Sequence, residues 1–109
     1  MLVKMETGAS GGGGLTESEY FSDSFTSSQT VIRTTTKKAK GISFAYYLNG
    51  YVRFCYAYDG VDNNYLSANG ERYTPVTFSD NAITLDAGIG ANVAVIGVVI
   101  YWNVSEITS

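Results

Sequence analysis

The segment Ile42-Ser43-Phe44-Ala45-Tyr46-Tyr47-Leu48-Asn49-Gly50-Tyr51-Val52-Arg53-Phe54-Cys55-Tyr56-Ala57-Tyr58 reads as two strands folded back on a two-residue turn. Asn49-Gly50 is the preferred pair for a type I′ hairpin, because both central positions need positive φ and these residues tolerate it. So short a turn sets the register. It places Leu48 opposite Tyr51, Tyr46 opposite Arg53, Phe44 opposite Cys55 and Ile42 opposite Ala57 on one face. The other face pairs Tyr47 with Val52, Ala45 with Phe54 and Ser43 with Tyr56.

Away from this hairpin the same pattern continues. Helical periodicity is hard to find, and turn dipeptides recur at short intervals. Strands are expected at 19–25, 30–36, 72–79, 82–86 and 92–102, with Ser79-Asp80-Asn81 turning one strand back on the next. The stretch 59–70, with Asp59-Gly60, Asn63-Asn64 and Asn69-Gly70, reads as a loop holding one short strand at Tyr65-Leu66. Thr30 to Thr36 carries polar side chains and is followed by Lys37, Lys38 and Lys40, as expected of an edge strand and a solvated turn. Seven to eight short strands predict an all-β fold, an antiparallel β-sandwich or jelly roll. Residues 1–14, with Gly11 to Gly14, read as a flexible Gly-rich N-terminal arm and linker, and 15–109 as the β domain.

Composition removes several chemistries. The 109 residues contain no His, which excludes a Ser-His-Asp triad, a Cys-His pair and His-ligated metal within the chain. Cys55 is the only Cys, so no intrachain disulfide can form, and it reads as a small packed hydrophobe. Ten acids against seven bases give a net charge of −3, which disfavours nucleic acid as a partner. The apolar run at 87–102 is too short for a membrane helix, interrupted by Asn92 and three glycines, and rich in β-branched residues; it reads as a buried strand. The first residues lack the apolar core of a secretory signal. The glycines of the arm have neither the preceding strand nor the GK[ST] of a phosphate loop. Most of the acids sit in turns (Asp59, Asp62, Asp80, Asp86) or near the N-terminus (Glu6, Glu17), where turn formation explains them, and no catalytic pair is placed. Asp59 to Asn64 offers oxygen ligands but not the calcium-loop spacing. No catalytic residue, metal or cofactor is therefore assigned.

Two strands are apolar on both faces. In the hairpin, Tyr47, Val52, Phe54 and Tyr56 lie opposite the core-facing set; in the last strand, Ile96, Val98, Ile100 and Trp102 lie opposite Val93, Val95, Val99 and Tyr101. Exposing such a second face exceeds the patch soluble monomers tolerate. These eight residues are expected to form an interface between copies of the chain in a closed cyclic oligomer. The competing arrangement has an N-terminal strand or the 59–70 loop folded over that face. A second surface, Tyr56, Tyr58, Tyr65 and Tyr73 with Asp62 and Asn64, could form an aromatic ligand platform, although core or interface packing accounts for most such tyrosines.

The order of features resembles a known group. A Gly-rich N-terminus is followed by Phe21-Ser22-Asp23-Ser24-Phe25-Thr26-Ser27-Ser28, the aromatic hairpin, the Tyr73 to Leu85 pair and a last strand ending in Tyr101-Trp102. This is similar to small β-sandwich structural proteins of the virions and tails of bacteriophages and prophages of Firmicutes. The resemblance implies a non-enzymatic virion component, such as a tail-tip, baseplate, fibre or head-decoration protein, made in the host cytoplasm. It further implies a cyclic homo-oligomer, a trimer by the commonest pattern, with Leu2, Val3 and Met5 of the arm docking onto other virion proteins. The alternative is a carbohydrate-binding or adhesin module that recognises surface glycans through the tyrosine platform; a virion protein could also do this at a host surface.

Overall fold

The computed structural model describes residues 17–102, and the arm, with its docking residues Leu2, Val3 and Met5, lies outside them. The fold is all-β and antiparallel. Eight strands run in the chain as β1 (Ser18–Phe25), β2 (Val31–Thr34), β3 (Gly41–Leu48), β4 (Tyr51–Tyr58), β5 (Tyr65–Ala68), β6 (Glu71–Phe78), β7 (Ala82–Leu85) and β8 (Val93–Ile100). They order as β1-β8-β3-β4-β5-β6-β7-β2. The central hairpin forms as its turn dictates: Asn49 and Gly50 both have positive φ, 53° and 86°, and β3 pairs β4 from Leu48↔Tyr51 to Gly41↔Tyr58.

The sheet curls until its edges meet. Only residues 26–30 join β1 to β2, so these two strands, the outermost in the order, must lie close. Arg33 of β2 closes the seam, its guanidinium 4.3 Å from the Phe21 ring centre and 3.1 Å from the Asp23 carboxylate on β1. On the far side, β4 and β5 pair only through Cys55↔Ala68 and Tyr56↔Ser67. Two four-stranded halves result, β1-β8-β3-β4 and β5-β6-β7-β2, joined like the two layers of a sandwich. Between them lies one core: Phe25, Ile42, Phe44, Cys55, Val95 and Val99 from the first half, with Ile32, Leu66, Val76, Phe78, Ile83 and Leu85 from the second.

Gly97 explains how a strand as aliphatic as β8 fits. A Cβ at this position would collide with the Ser43 carbonyl and would meet the Phe44 Cβ at 2.6 Å and the tip of the Phe21 ring at 2.9 Å. The missing side chain thus leaves room for two aromatic neighbours to pack over the strand.

The structure differs from the sequence expectation in the 59–70 region. Asn69-Gly70 is not loop but the turn of a second hairpin, with φ of 51° and 87°, between β5 and β6. Asn69 also ties this hairpin to its neighbour. Its backbone N–H donates to the Phe54 carbonyl and its Oδ1 accepts from the Phe54 N–H, each at 2.9 Å. The last strand is shorter than 92–102, ending at Ile100.

Candidate functional site

Register alone builds the surface of interest. Along β1, β8, β3 and β4, residues facing away from the core align in rows: Tyr20, Val98, Ser43, Tyr56; then Ser22, Ile96, Ala45, Phe54; then Ser24 and Ala94 leading to Tyr47 and Val52. None of these positions carries a charge. The charged residues of the same strands, Glu19, Asp23 and Arg53, fall on the opposite parity, at the rims of the core side. An antiparallel sheet with one wet face ordinarily puts apolar residues in and charge out, and here the outward side is apolar.

Exposure confirms that nothing in the described chain covers this face. Tyr20 is 85% exposed, Ile96 67%, Tyr47 66% and Phe54 61%, with Val52 and Tyr56 also exposed. Two shallow grooves cross it, one between Ser22, Ala45, Tyr47 and Ile96, the other between Tyr20, Ser43, Phe54 and Val98. The half β5-β6-β7-β2 behaves in the ordinary way: Thr77 and Glu71 are exposed, while Val76, Phe78, Ile83 and Leu85 are buried. Val31 and Tyr73 are exposed on this half as well, but on β2 and β6, which β7 separates.

Six of the eight residues expected at an interface share this face: Tyr47, Val52, Phe54, Tyr56, Ile96 and Val98. Two do not. Ile100 is only 6% exposed. It stands in the row Ser18, Ile100, Gly41, Tyr58, where the Tyr58 ring lies over Gly41, 2.5 Å from where a Cβ would stand. That row closes the patch instead of extending it. Trp102 lies beyond the end of β8 and is half-buried. Tyr20 was missed, because a strand of Ser, Glu and Asp offers little apolar signal. Its place beside Val98 depends on β1 pairing with β8, a contact across most of the chain. Among the described residues the first strand does not fold over the face: β1 joins the sheet edge and enlarges it.

The described residues of the expected tyrosine platform are each engaged with neighbours in the chain. Tyr58 packs beside Tyr56, and burial pushes its phenol above the ordinary range. Tyr65 lies under the Arg72 guanidinium at 4.0 Å. Tyr73 occupies a bulge in β6, where Leu66 pairs with Thr74 and Ser67 with Arg72. The bulge re-aims its side chain, and its hydroxyl donates to the Gly88 carbonyl. Asn64 turns inward on its own loop, donating to Asp59 at 2.9 Å and accepting from the Gly60 N–H at 2.7 Å. The Asp62 side chain lies outside the described residues. Among the described residues no three His, Cys, Asp or Glu side chains gather as a metal site requires, and no helix is long and apolar enough to cross a membrane.

No protein-family model matches the chain, and neither a curated protein nor a solved structure matches it.

Proposed function

We propose that this chain is a non-enzymatic structural protein of a bacteriophage particle, assembled in more than one copy through the outer face of β1-β8-β3-β4. One observation carries the structural reading: an exposed, contiguous apolar face with no charge on any outward position. Burying several hundred Å² of such surface is worth several kcal/mol at about 25 cal/mol per Å², and exposed patches of that size mark interaction sites. The assignment to a virion rests on the resemblance set out above. In this reading the arm docks onto the particle through Leu2, Val3 and Met5, and the β domain faces outward. The glycan-binding alternative is the weaker one, because the polar atoms of Tyr73 and Asn64 are engaged within the chain.

The test is incorporation. Deleting residues 1–14 in a phage that carries this chain should leave a folded, soluble β domain that is missing from purified particles by mass spectrometry. Particles that retain the truncated protein at the wild-type level overturn the docking role, and wild-type particles that lack the chain overturn the virion assignment.

A further inference from the structure

We infer that the apolar face takes a single second copy of this chain, packed sheet against sheet across a two-fold axis, so that the closed oligomer is a dimer and not a three-membered ring. This rests on the self-association proposed above and specifies its partner and symmetry.

Three features of the face support it. The first is its placement. All the large exposed side chains concerned, Tyr20, Tyr47, Val52, Phe54, Tyr56 and Ile96, stand on one side of one four-stranded half. A ring of three needs two different patches on each protomer, one for each neighbour, whereas a two-fold pair uses the same patch twice. The opposite half exposes only Val31 and Tyr73 among its large apolar side chains, on strands separated by β7 and beside Glu71 and Thr77, so the larger and wholly neutral patch of the described strands is this one.

The second feature is charge. A face that meets its own copy brings each of its residues near a like residue, so any charge near the axis meets its own sign. Every outward position of β1, β8, β3 and β4 is neutral, and Ser22, Ser24 and Ser43 can each donate and accept a hydrogen bond. The face is therefore compatible with itself. It suits a sugar less well, because recognition of hydroxyl groups calls for amide or carboxylate groups that the face lacks, and Ile96 projects from its middle.

The third feature is area. From their fractional exposures, the six side chains present roughly 700 Å², and Ala94, Val98 and the serines between them bring the face to the ~800 Å² per partner of a standard stable interface. One partner copy of the same face is enough to cover it. In the three rows of four positions, the middle lies between Ile96 and Ala45. An axis through the middle of the contact brings each Ile96 close to its counterpart.

Sedimentation equilibrium of the full chain, wild type and Ile96→Asp, tests this. The expected wild-type mass is twice 11.7 kDa, about 23 kDa. Ile96→Asp should sediment at 11.7 kDa with an unchanged far-UV spectrum, because Ile96 is exposed in the folded chain and an Asp there meets its own charge across the axis. A wild-type mass of three chains, or a dimer that survives Ile96→Asp, overturns this inference and leaves self-association standing. A wild-type chain that stays monomeric at millimolar concentration overturns both, and pelleting of that monomer with insoluble polysaccharide would identify a glycan as the occupant.

Discussion

Cys55 shows how strongly position governs chemistry in this core. It lies on the inner side of β4, 1% exposed and opposite Phe44, with Tyr46 on the facing strand acting on its thiol. Burial pushes the thiol up to about 11, and the opposing pull of Arg53 and the Tyr46 hydroxyl only partly offsets this. A raised thiol is a poor nucleophile. The shift also has a consequence for stability. The unfolded thiol loses its proton near its ordinary value of about 9, while the folded one holds it to about 11. Its contribution is complete below pH 9 and is lost as pH rises toward 11. Two pH units correspond to about 2 to 3 kcal/mol. Urea midpoints measured at pH 8 and pH 10.5 should therefore fall steeply for the wild type and less for Cys55→Ala, although the variant starts lower because of the cavity it creates. A residual slope will remain in the variant, since burial also raises Tyr46. Equal slopes in the two proteins would show that Cys55 is not the group responsible.

Among the elements, the two Asn-Gly hairpins differ in what their turns do. Asn49-Gly50 only reverses the chain, whereas Asn69 also holds β4 and β5 together where just two residue pairs join the halves. Asn69→Ala puts a residue less tolerant of the left-handed region than Asn at φ 51° and leaves the Phe54 N–H without its acceptor; a loss of about 1 to 3 kcal/mol follows. Asn49→Ala loses the turn preference alone and should cost about 1 kcal/mol. Chemical denaturation of the two variants side by side measures the difference, and an equal loss would remove the bridging role. These hairpins also show what the sequence makes legible. The register of β3 and β4 could be read because two long alternating strands flank a two-residue turn, so local geometry decides it. The second hairpin was not legible because β5 is four residues long and is preceded by three left-handed-prone turn residues, which mask its alternation. The same division holds for the candidate face. Alternation within β4 and β8 identified most of it, but Tyr20 entered through the pairing of β1 with β8, and the burial of Ile100 through a Tyr58 ring lying over Gly41. Both depend on β8 pairing with strands distant from it in the chain, β1 and β3, which no local pattern encodes.

For the whole molecule, the division of charge between faces determines how stability should respond to conditions. Glu19, Asp23 and Arg53 stand at the core-side rims of β1-β8-β3-β4, and the ion pairs Arg33–Asp23, Lys37–Glu17 and Lys38–Asp59 also lie off the outer face. Salt screens such exposed pairs, which contribute little individually. An interface formed by the neutral face has no charge pair to screen. Raising sodium chloride from about 0.05 to 1 M, a range over which the screening length falls from above 10 Å to about 3 Å, should leave the dimer as tight or tighten it. Coupling of folding to association then makes the melting temperature depend on protein concentration. Above the dissociation constant, each tenfold increase in concentration stabilises the dimer by about 1.4 kcal/mol, or about 0.7 kcal/mol per chain, which for a domain of this size is about 3 to 5 °C. Ile96→Asp should abolish that dependence while changing the melting temperature at low concentration by no more than about 4 °C, because the side chain is exposed in the isolated chain. A wild-type melting temperature that does not move between about 1 and 100 μM, a range chosen to span the affinities of interfaces of this area, would mean that the folded chain gains nothing from its own copies. The apolar face would then be left for a partner other than a copy of this chain, and the dimer would fall.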